Sequence, residues 1–316
     1  MTKIEGKKKR KFPKINSLTF LYLALLSFVF IASSALSLSR YKEEPLVLSE
    51  KIEPASFAPI PVLSDTVSFP VLSAQAALAV DIDSGTALYE KNPDSPLLPA
   101  STTKIVTALV AMEHFSPEDI VKVGNVSIEG QKMGLVKGEE IRVDDLLYGL
   151  LIYSANDAAE VFAQNYPGGR EAFITVMNLK AQELGLENSN FKNPTGLDGE
   201  GHKSTARDLV RVAEVAMRDS RFAEVVATKE KQVTSLDGLI VHRLTNLNEL
   251  VGEVDGVLGV KTGWTKYARE NLVTYVERNG HRVMIALMGS QDRFGETKEL
   301  IEWIFGNYEW EEISYP

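Results

Sequence analysis

Three short stretches of this 316-residue chain combine hydroxyls with amines or amides at spacings that chemistry can use. In Ser101-Thr102-Thr103-Lys104 the outer residues are three apart. On a helix they share a face, so the hydroxyl comes within hydrogen-bonding reach of the amine. A hydroxyl is a weak nucleophile until a base takes its proton, and a lysine can be that base only when its amine is neutral. Burial and a second nearby cation both push a lysine in that direction. The positive field at a helix N-terminus also favours an oxyanion forming beside it. Taken alone the spacing is weak, because it recurs at Ser39 to Lys42 and at Ser189 to Lys192. Ser101 could equally be a plain helix cap, with Lys104 a solvated side chain.

The other two stretches occur once each. Ser154-Ala155-Asn156 falls at a bend between two helical runs in LLYGLLIYSANDAAEVF, where a hydroxyl and an amide face a cleft or else cap a helix. Lys261-Thr262-Gly263 ends a strand-like run. Its glycine permits close approach of a ligand or another backbone, and a lysine beside a hydroxyl suits a carboxylate.

Composition removes the competing chemistries. With no cysteine there is no thiol nucleophile, disulfide framework or thiolate metal site. His114, His202, His242 and His281 are scattered and form no H-x-x-x-H pair, so a zincin-type metal site has no support. Hydrolysis must therefore rest on Ser, Thr, Lys, Asp or Glu, with no metal. The net charge of -9 hides an asymmetry: residues 1–16 hold seven Lys or Arg against Glu5, a balance of +6 that leaves -15 for the rest. A body that acidic is a poor binder of nucleic-acid phosphates.

The basic run is better explained by the uncharged segment next to it. From Ile15 to Ser39 there are 25 residues without a charge, enough for a hydrocarbon core that needs about 20. The cations on its N-terminal side place the amino terminus in the cytoplasm and the remainder outside. A cleaved signal peptide is the competing reading, with Phe20 to Ala32 as its apolar core and Ser33-Ser34-Ala35 as a small-residue cleavage site. Five of the 13 prolines lie in residues 40–70, as in an extended tether, which favours an anchor whose start stays fixed. The expected organisation is a basic cytoplasmic terminus over 1–16, an anchor or signal over 17–39, a Pro-rich linker over 40–74, a catalytic domain over 75–310 and a tail over 311–316.

Within the folded body, 77–82 and 86–89 read as strands around the Asp83-Ser84-Gly85 turn. Apolar spacing predicts helices at 101–115, 144–152, 157–165, 170–184, 205–218 and 296–306, the fifth opened by a capping-box pattern at Thr205 to Asp208. Strand-like runs return at 232–235, 239–244, 257–262, 271–277 and 282–288, the last two around an Asn279-Gly280 hairpin signal. The expected fold class is α/β in the α+β sense. An antiparallel sheet of about five strands is closed by N- and C-terminal elements and flanked by helices, with a helical subdomain inserted.

The three motifs in this order, on helix, inter-helix bend and strand, resemble the penicillin-recognising serine enzymes. The closer resemblance is to the D-alanyl-D-alanine carboxypeptidases, the low-molecular-mass penicillin-binding proteins. It covers roughly Ala76 to Phe305 and is carried by Leu88-Tyr89-Glu90-Lys91-Asn92, Pro99 to Lys104, Asn193-Pro194-Thr195-Gly196-Leu197, Ser204 to Leu209 and Val260 to Thr265. The resemblance implies the β-lactamase/DD-peptidase-like fold and a definite division of labour. Ser101 would attack the penultimate D-Ala carbonyl of a peptidoglycan stem peptide, with neutral Lys104 as base. Ser154 would pass a proton to the leaving nitrogen, and Asn156 would hold Lys104 and the substrate amide. Lys261 and Thr262 would bind the terminal carboxylate, beside Gly263. The backbone N–H groups of Ser101 and Trp264 would form the oxyanion hole, worth about 3 to 4 kcal/mol per donor in other acyl-transfer enzymes. No cofactor is implied, and β-lactam antibiotics are expected as covalent inhibitors.

One departure stands out. After Lys266-Tyr267-Ala268, where many members place glycine, this chain has Arg269 and then Glu270. That leaves open the shape of the turn and the rim it gives the cleft. Three other functions stay open: an endopeptidase cutting cross-links with the same residues, a β-lactamase, and a silent wall-binding module. The β-lactamase reading lacks a Glu-x-x-Leu-Asn element, since Glu187-Asn188-Ser189-Asn190-Phe191 supplies neither that Leu nor that Asn. His202 reads first as a loop-packing residue, with a Ser-His-Asp arrangement as the alternative. Asp208 reads first as a helix-start residue.

Overall fold

The structure is a computed structural model that describes residues 16–38, 58–64 and 67–312. It forms two compact units, Met1–Ala55 and Ser56–Pro316. The first contains α1 (Ser17–Leu38), a 22-residue helix without a charged side chain. Among the described residues no helix is long and apolar enough to cross a membrane. The basic stretch 1–15 and residues 39–57 lie outside the described residues.

The second unit is built on one antiparallel sheet of five strands, in the order β3-β2-β10-β9-β8. These are β2 (Ala76–Asp81), β3 (Ala87–Lys91), β8 (Val257–Thr265), β9 (Arg269–Arg278) and β10 (His281–Ser290). Strands from the two ends of the domain, β2 and β3 from one and β8, β9 and β10 from the other, thus meet in this sheet, where Met288 pairs with Ala76 and Val283 with Asp81. The Asn279-Gly280 turn adopts the two positive φ values, 52° and 81°, that a tight hairpin of this twist requires.

Burial on both faces explains why β10 is apolar without alternation. Met284, Ala286 and Met288 join the larger core against the helices, while Val283, Ile285 and Leu287 pack with Leu300, Ile301 and Ile304 of α8 (Arg293–Asn307). The helical layer comprises α2 (Lys104–His114), α3 (Val143–Leu151), α4 (Asn156–Asn165), α5 (Gly169–Glu183), α6 (Ala206–Met217) and α7 (Ser220–Ala227). The capping pattern at Thr205 is realised, its side chain accepting the Asp208 N–H at 3.1 Å. The helix expected from residue 101 instead opens with a 3₁₀ turn over Ala100–Thr103 and becomes α-helical at Lys104. The short α7, capped by Asp219, was not expected.

Three small two-stranded ribbons complete the unit: β4 (Ile120–Lys122) with β5 (Glu140–Arg142), β6 (Glu230–Thr234) with β7 (Val241–Thr245), and β1 (Ile60–Leu63) with β11 (Tyr308–Glu311). The last ribbon draws one strand from the stretch expected as a linker over 40–74, and its other strand runs past 310, with Glu311 opposite Ile60. Trp303 donates to the Ser68 carbonyl and Tyr89 to that of Pro70, which hold the following stretch. Pro61 is tolerated because β1 has a partner on one side only.

Candidate active site

The pattern Ser101 to Lys104 is placed by two unusual backbone approaches. Ala100 takes φ 48°, and Gly196, at φ 85°, lies so close that a Cβ on it would stand 1.9 Å from the Ala100 carbonyl oxygen. On the other side a Cβ on Gly263 would lie 3.1 Å from the Ser101 nitrogen. Glycine at 196 and 263 therefore lets the 193–197 loop and β8 close on the 3₁₀ turn from both sides.

Lys104 is fully buried at the start of α2, and its Nζ has three oxygens around it. These are Ser101 Oγ at 2.9 Å, Asn156 Oδ1 at 2.7 Å and the Thr195 carbonyl at 2.6 Å. The last two can only accept. A neutral amine has two hydrogens to donate to them, which leaves its lone pair for the one partner that carries a proton, the Ser101 hydroxyl. Burial, and after it the charge of Lys261, holds this amine well below its ordinary value. The arrangement fits a base poised on a nucleophile.

The second motif forms the bend between α3 and α4. Ser154 sits there at φ 58° and is buried, as is Asn156, the first residue of α4. The Asn156 amide is oriented by its nitrogen, which donates to the Glu129 carbonyl at 2.7 Å and so turns Oδ1 toward Lys104. Lys261 lies buried on β8, with the Thr262 carbonyl as its hydrogen-bond acceptor at 3.0 Å. Burial, and then the nearby Arg293, lowers Lys261 to about 7.

Ser101, Ser154, Asn156, Thr262, Gly263 and Trp264 all line one cleft of about 530 Å³, and Lys104 and Lys261 lie behind its walls. Two features of this cleft were not foreseen. Arg293, at the start of α8, lines it and donates to the Gly263 carbonyl at 3.1 Å, so a guanidinium stands beside the K-T-G strand together with Lys261. The 129–131 stretch forms the facing rim. Among the described residues no group of His, Cys, Asp or Glu is placed to hold a metal.

His202 is not part of a triad. Its Nδ1 accepts the Lys192 N–H at 3.0 Å, so Nε2 carries the hydrogen and faces Thr103 Oγ1 at 2.9 Å. Burial, and then Lys192, pushes it down to about 4, so the ring is neutral and packs the loop. Asp208 binds Ser189 Oγ at 2.7 Å and the Asn188 N–H at 3.1 Å.

Residues 64–292 match the family model described as D-alanyl-D-alanine carboxypeptidase. The chain belongs to that family. Among curated members, it is 34% identical over 246 residues to the D-alanyl-D-alanine carboxypeptidase DacF of Bacillus subtilis, covering 75% of this chain and 63% of that protein. It is 33% identical to a D-alanyl-D-alanine endopeptidase of Pseudomonas aeruginosa, over 74% of this chain and 77% of that one. The matched region thus spans a little under two thirds of the Bacillus relative. The crystal structure of the Streptomyces K15 DD-transpeptidase superposes with a TM-score of 0.71 at 30% identity, covering 76% of this chain and all of that one.

Proposed function

We propose that this protein is a serine-type D-alanyl-D-alanine carboxypeptidase that trims the terminal D-Ala from peptidoglycan stem peptides and is acylated by β-lactams. The observation that carries the reading is the Lys104 amine, buried, surrounded by two obligate acceptors and 2.9 Å from Ser101 Oγ. In this mechanism Ser101 Oγ bonds to the penultimate D-Ala carbonyl carbon as its proton passes to Lys104 Nζ. The resulting oxyanion is held by the Ser101 and Trp264 N–H groups. The C–N bond then breaks, and Ser154 relays the proton from Lys104 to the departing amine. Water hydrolyses the ester and restores the hydroxyl. The terminal carboxylate lies against Thr262, Lys261 and Arg293, while Asn156 keeps Lys104 in place and donates to the substrate amide.

The test is labelling with a fluorescent penicillin alongside D-Ala release from a stem pentapeptide, with Ser101→Ala as control. Labelling and release both vanish in the variant. Release at the parent rate from Ser101→Ala would sink the assignment. The endopeptidase relative supports a second reading, cleavage of cross-links by the same residues. Purified cross-linked muropeptides distinguish the two by whether monomers or free D-Ala accumulate. The proposal places the domain outside the cytoplasm, with 17–39 as its membrane anchor. The charge-free run and the cations ahead of it support that placement.

A further inference from the structure

Residues 123–139, between β4 and β5, have no regular structure and put Glu129, Gly130 and Gln131 on the cleft, yet they meet an unusual set of buried groups. Asp157, in the first turn of α4, accepts three successive backbone N–H groups from this segment: Met133 at 3.1 Å, Gly134 at 2.9 Å and Leu135 at 3.1 Å. His242, on β7, has Nδ1 3.0 Å from the Met133 carbonyl and Nε2 2.7 Å from Glu139 Oε1. The other oxygen of Glu139 accepts the Val136 N–H at 2.9 Å. The His242 and Glu139 side chains are 4% and 0% exposed. Met133 is therefore gripped at its N–H by one element and at its carbonyl by another.

Such a pair is a costly way to gain stability, because desolvation consumes most of what a buried His–carboxylate contact returns. What it supplies is position. A carbonyl only accepts, so Nδ1 carries its hydrogen and Nε2 faces Glu139 Oε1; an alternative placement of the loop would strand these groups. Two residues back from Met133, the Gln131 carbonyl accepts the Asn156 backbone N–H at 2.7 Å. Two further back, the Glu129 carbonyl accepts Asn156 Nδ2 at 2.7 Å. That bond decides which end of the amide meets Lys104. If Glu129 moves, only the Lys104 amine itself holds Oδ1 toward it, and a rotated amide that turned Nδ2 to the amine would set donor against donor and displace the base from Ser101.

We propose that Glu139 and His242 are positioning residues for the acylation step, acting through residues 129–133 on the Asn156 amide and through it on Lys104. The proposal rests on the reading of Ser101 and Lys104 as the acylating pair.

The test uses the whole chain and counts active sites. Penicillin is titrated to the stoichiometric end point, and the second-order acylation rate is expressed per titrated site. His242→Phe fills the space and removes both bonds; its rate per site falls 10- to 100-fold while the parent stoichiometry is kept. In Glu139→Gln the amide oxygen accepts from Val136 and the amide nitrogen donates to Nε2 of a neutral His242, so the rate stays within about 3-fold of the parent. If His242→Phe yields no folded protein, His242→Gln, which reaches one of the two partners, takes its place with the same expected loss. A role in folding alone lowers the number of titrated sites and leaves the rate per site unchanged, and that result overturns the proposal. So does a Glu139→Gln rate as low as that of His242→Phe. A parent protein that binds no penicillin at Ser101 defeats the acylation reading itself, a different outcome from either.

Discussion

The two walls of the cleft each contain a buried lysine, and the lysines are treated differently. On the helical wall Lys104 has every direction around its amine filled by protein oxygen. On the strand wall Lys261 has one backbone acceptor, the carbonyl of its own neighbour, and Arg293 close enough to lower it further. A buried ammonium normally gathers acceptors or loses its proton. In the proposed mechanism the first lysine acts as a neutral base whose lone pair meets Ser101, and the second as a cation site that a carboxylate entering the cleft would complete. Burial supplies both, and partner count separates them.

The largest effect should come from breaking the helical wall. Lys104→Arg keeps a long side chain but puts a permanent cation where the neutral amine stood and cannot take up a proton, so the Ser101 hydroxyl loses its base. Penicillin acylation and D-Ala release should both fall on the order of 10³-fold or more, while the protein stays folded. A variant acylated within 10-fold of the parent would show that Lys104 is not the base.

The strand wall answers to pH. Lys261 is lowered to about 7, so its positive charge is present below that pH and is lost as pH rises through it. Carboxylate binding above pH 7 must then recruit a proton. The kcat/KM for a peptide ending in a free carboxylate should decline through an alkaline limb near 7, carried by KM. The acid limb belongs to Lys104, which must lose its proton to act. Lys261→Arg keeps its charge at all these values, so its alkaline limb should disappear. A limb that survives in Lys261→Arg would assign it to another group.

Arg293→Leu is the intermediate case. A hydrogen bond to a charged group contributes about 1.5 to 3 kcal/mol, or roughly 10- to 100-fold in kcat/KM for the carboxylate substrate. Acylation by a β-lactam ester that lacks that carboxylate should change far less. Equal losses on both would mean that Arg293 shapes β8 through the Gly263 carbonyl and does not meet the substrate.

The difference between the walls also marks what the sequence could reveal. Ser101, Lys104, Ser154, Asn156 and Lys261 to Trp264 were legible because their chemistry resides in side-chain type and spacing, and the fold brings them to one cleft. The Thr195 and Glu129 carbonyls were not, since every residue has a carbonyl and only the folded chain decides which one points at an amine or an amide. Arg293 gave no signal because its place beside β8 depends on how α8 starts from the end of β10. Apart from α7, the helices of the folded unit and the five central strands followed from apolar spacing and turn signals. The β1–β11 ribbon did not, because its partners are four residues long and about the full length of the domain apart in sequence. Residues 123–139 hold their place through Asp157, Glu139 and His242, a set of contacts without periodicity.

The smallest effect concerns the turn at the far end of the strand wall. Arg269 stands at φ 60°, paired with Thr265 across the β8–β9 hairpin, a conformation that crowds the Cβ of any residue but glycine. The side chain is exposed and does not line the cleft, so it gains nothing there that offsets the strain. Arg269→Gly relieves about 1 kcal/mol of crowding and returns roughly half of that as added freedom of the unfolded chain. The net gain of about 0.5 kcal/mol should raise Tm by about 1–2 °C. The ladder from Val260 to Thr265 stays paired with Thr274 to Arg269, so Lys261 and Trp264 keep their places and kcat/KM should not move. A variant with higher Tm and altered kcat/KM would show that the strained turn, and not the ladder, sets the strand wall. Unchanged activity with the same rise in Tm assigns that wall to the sheet.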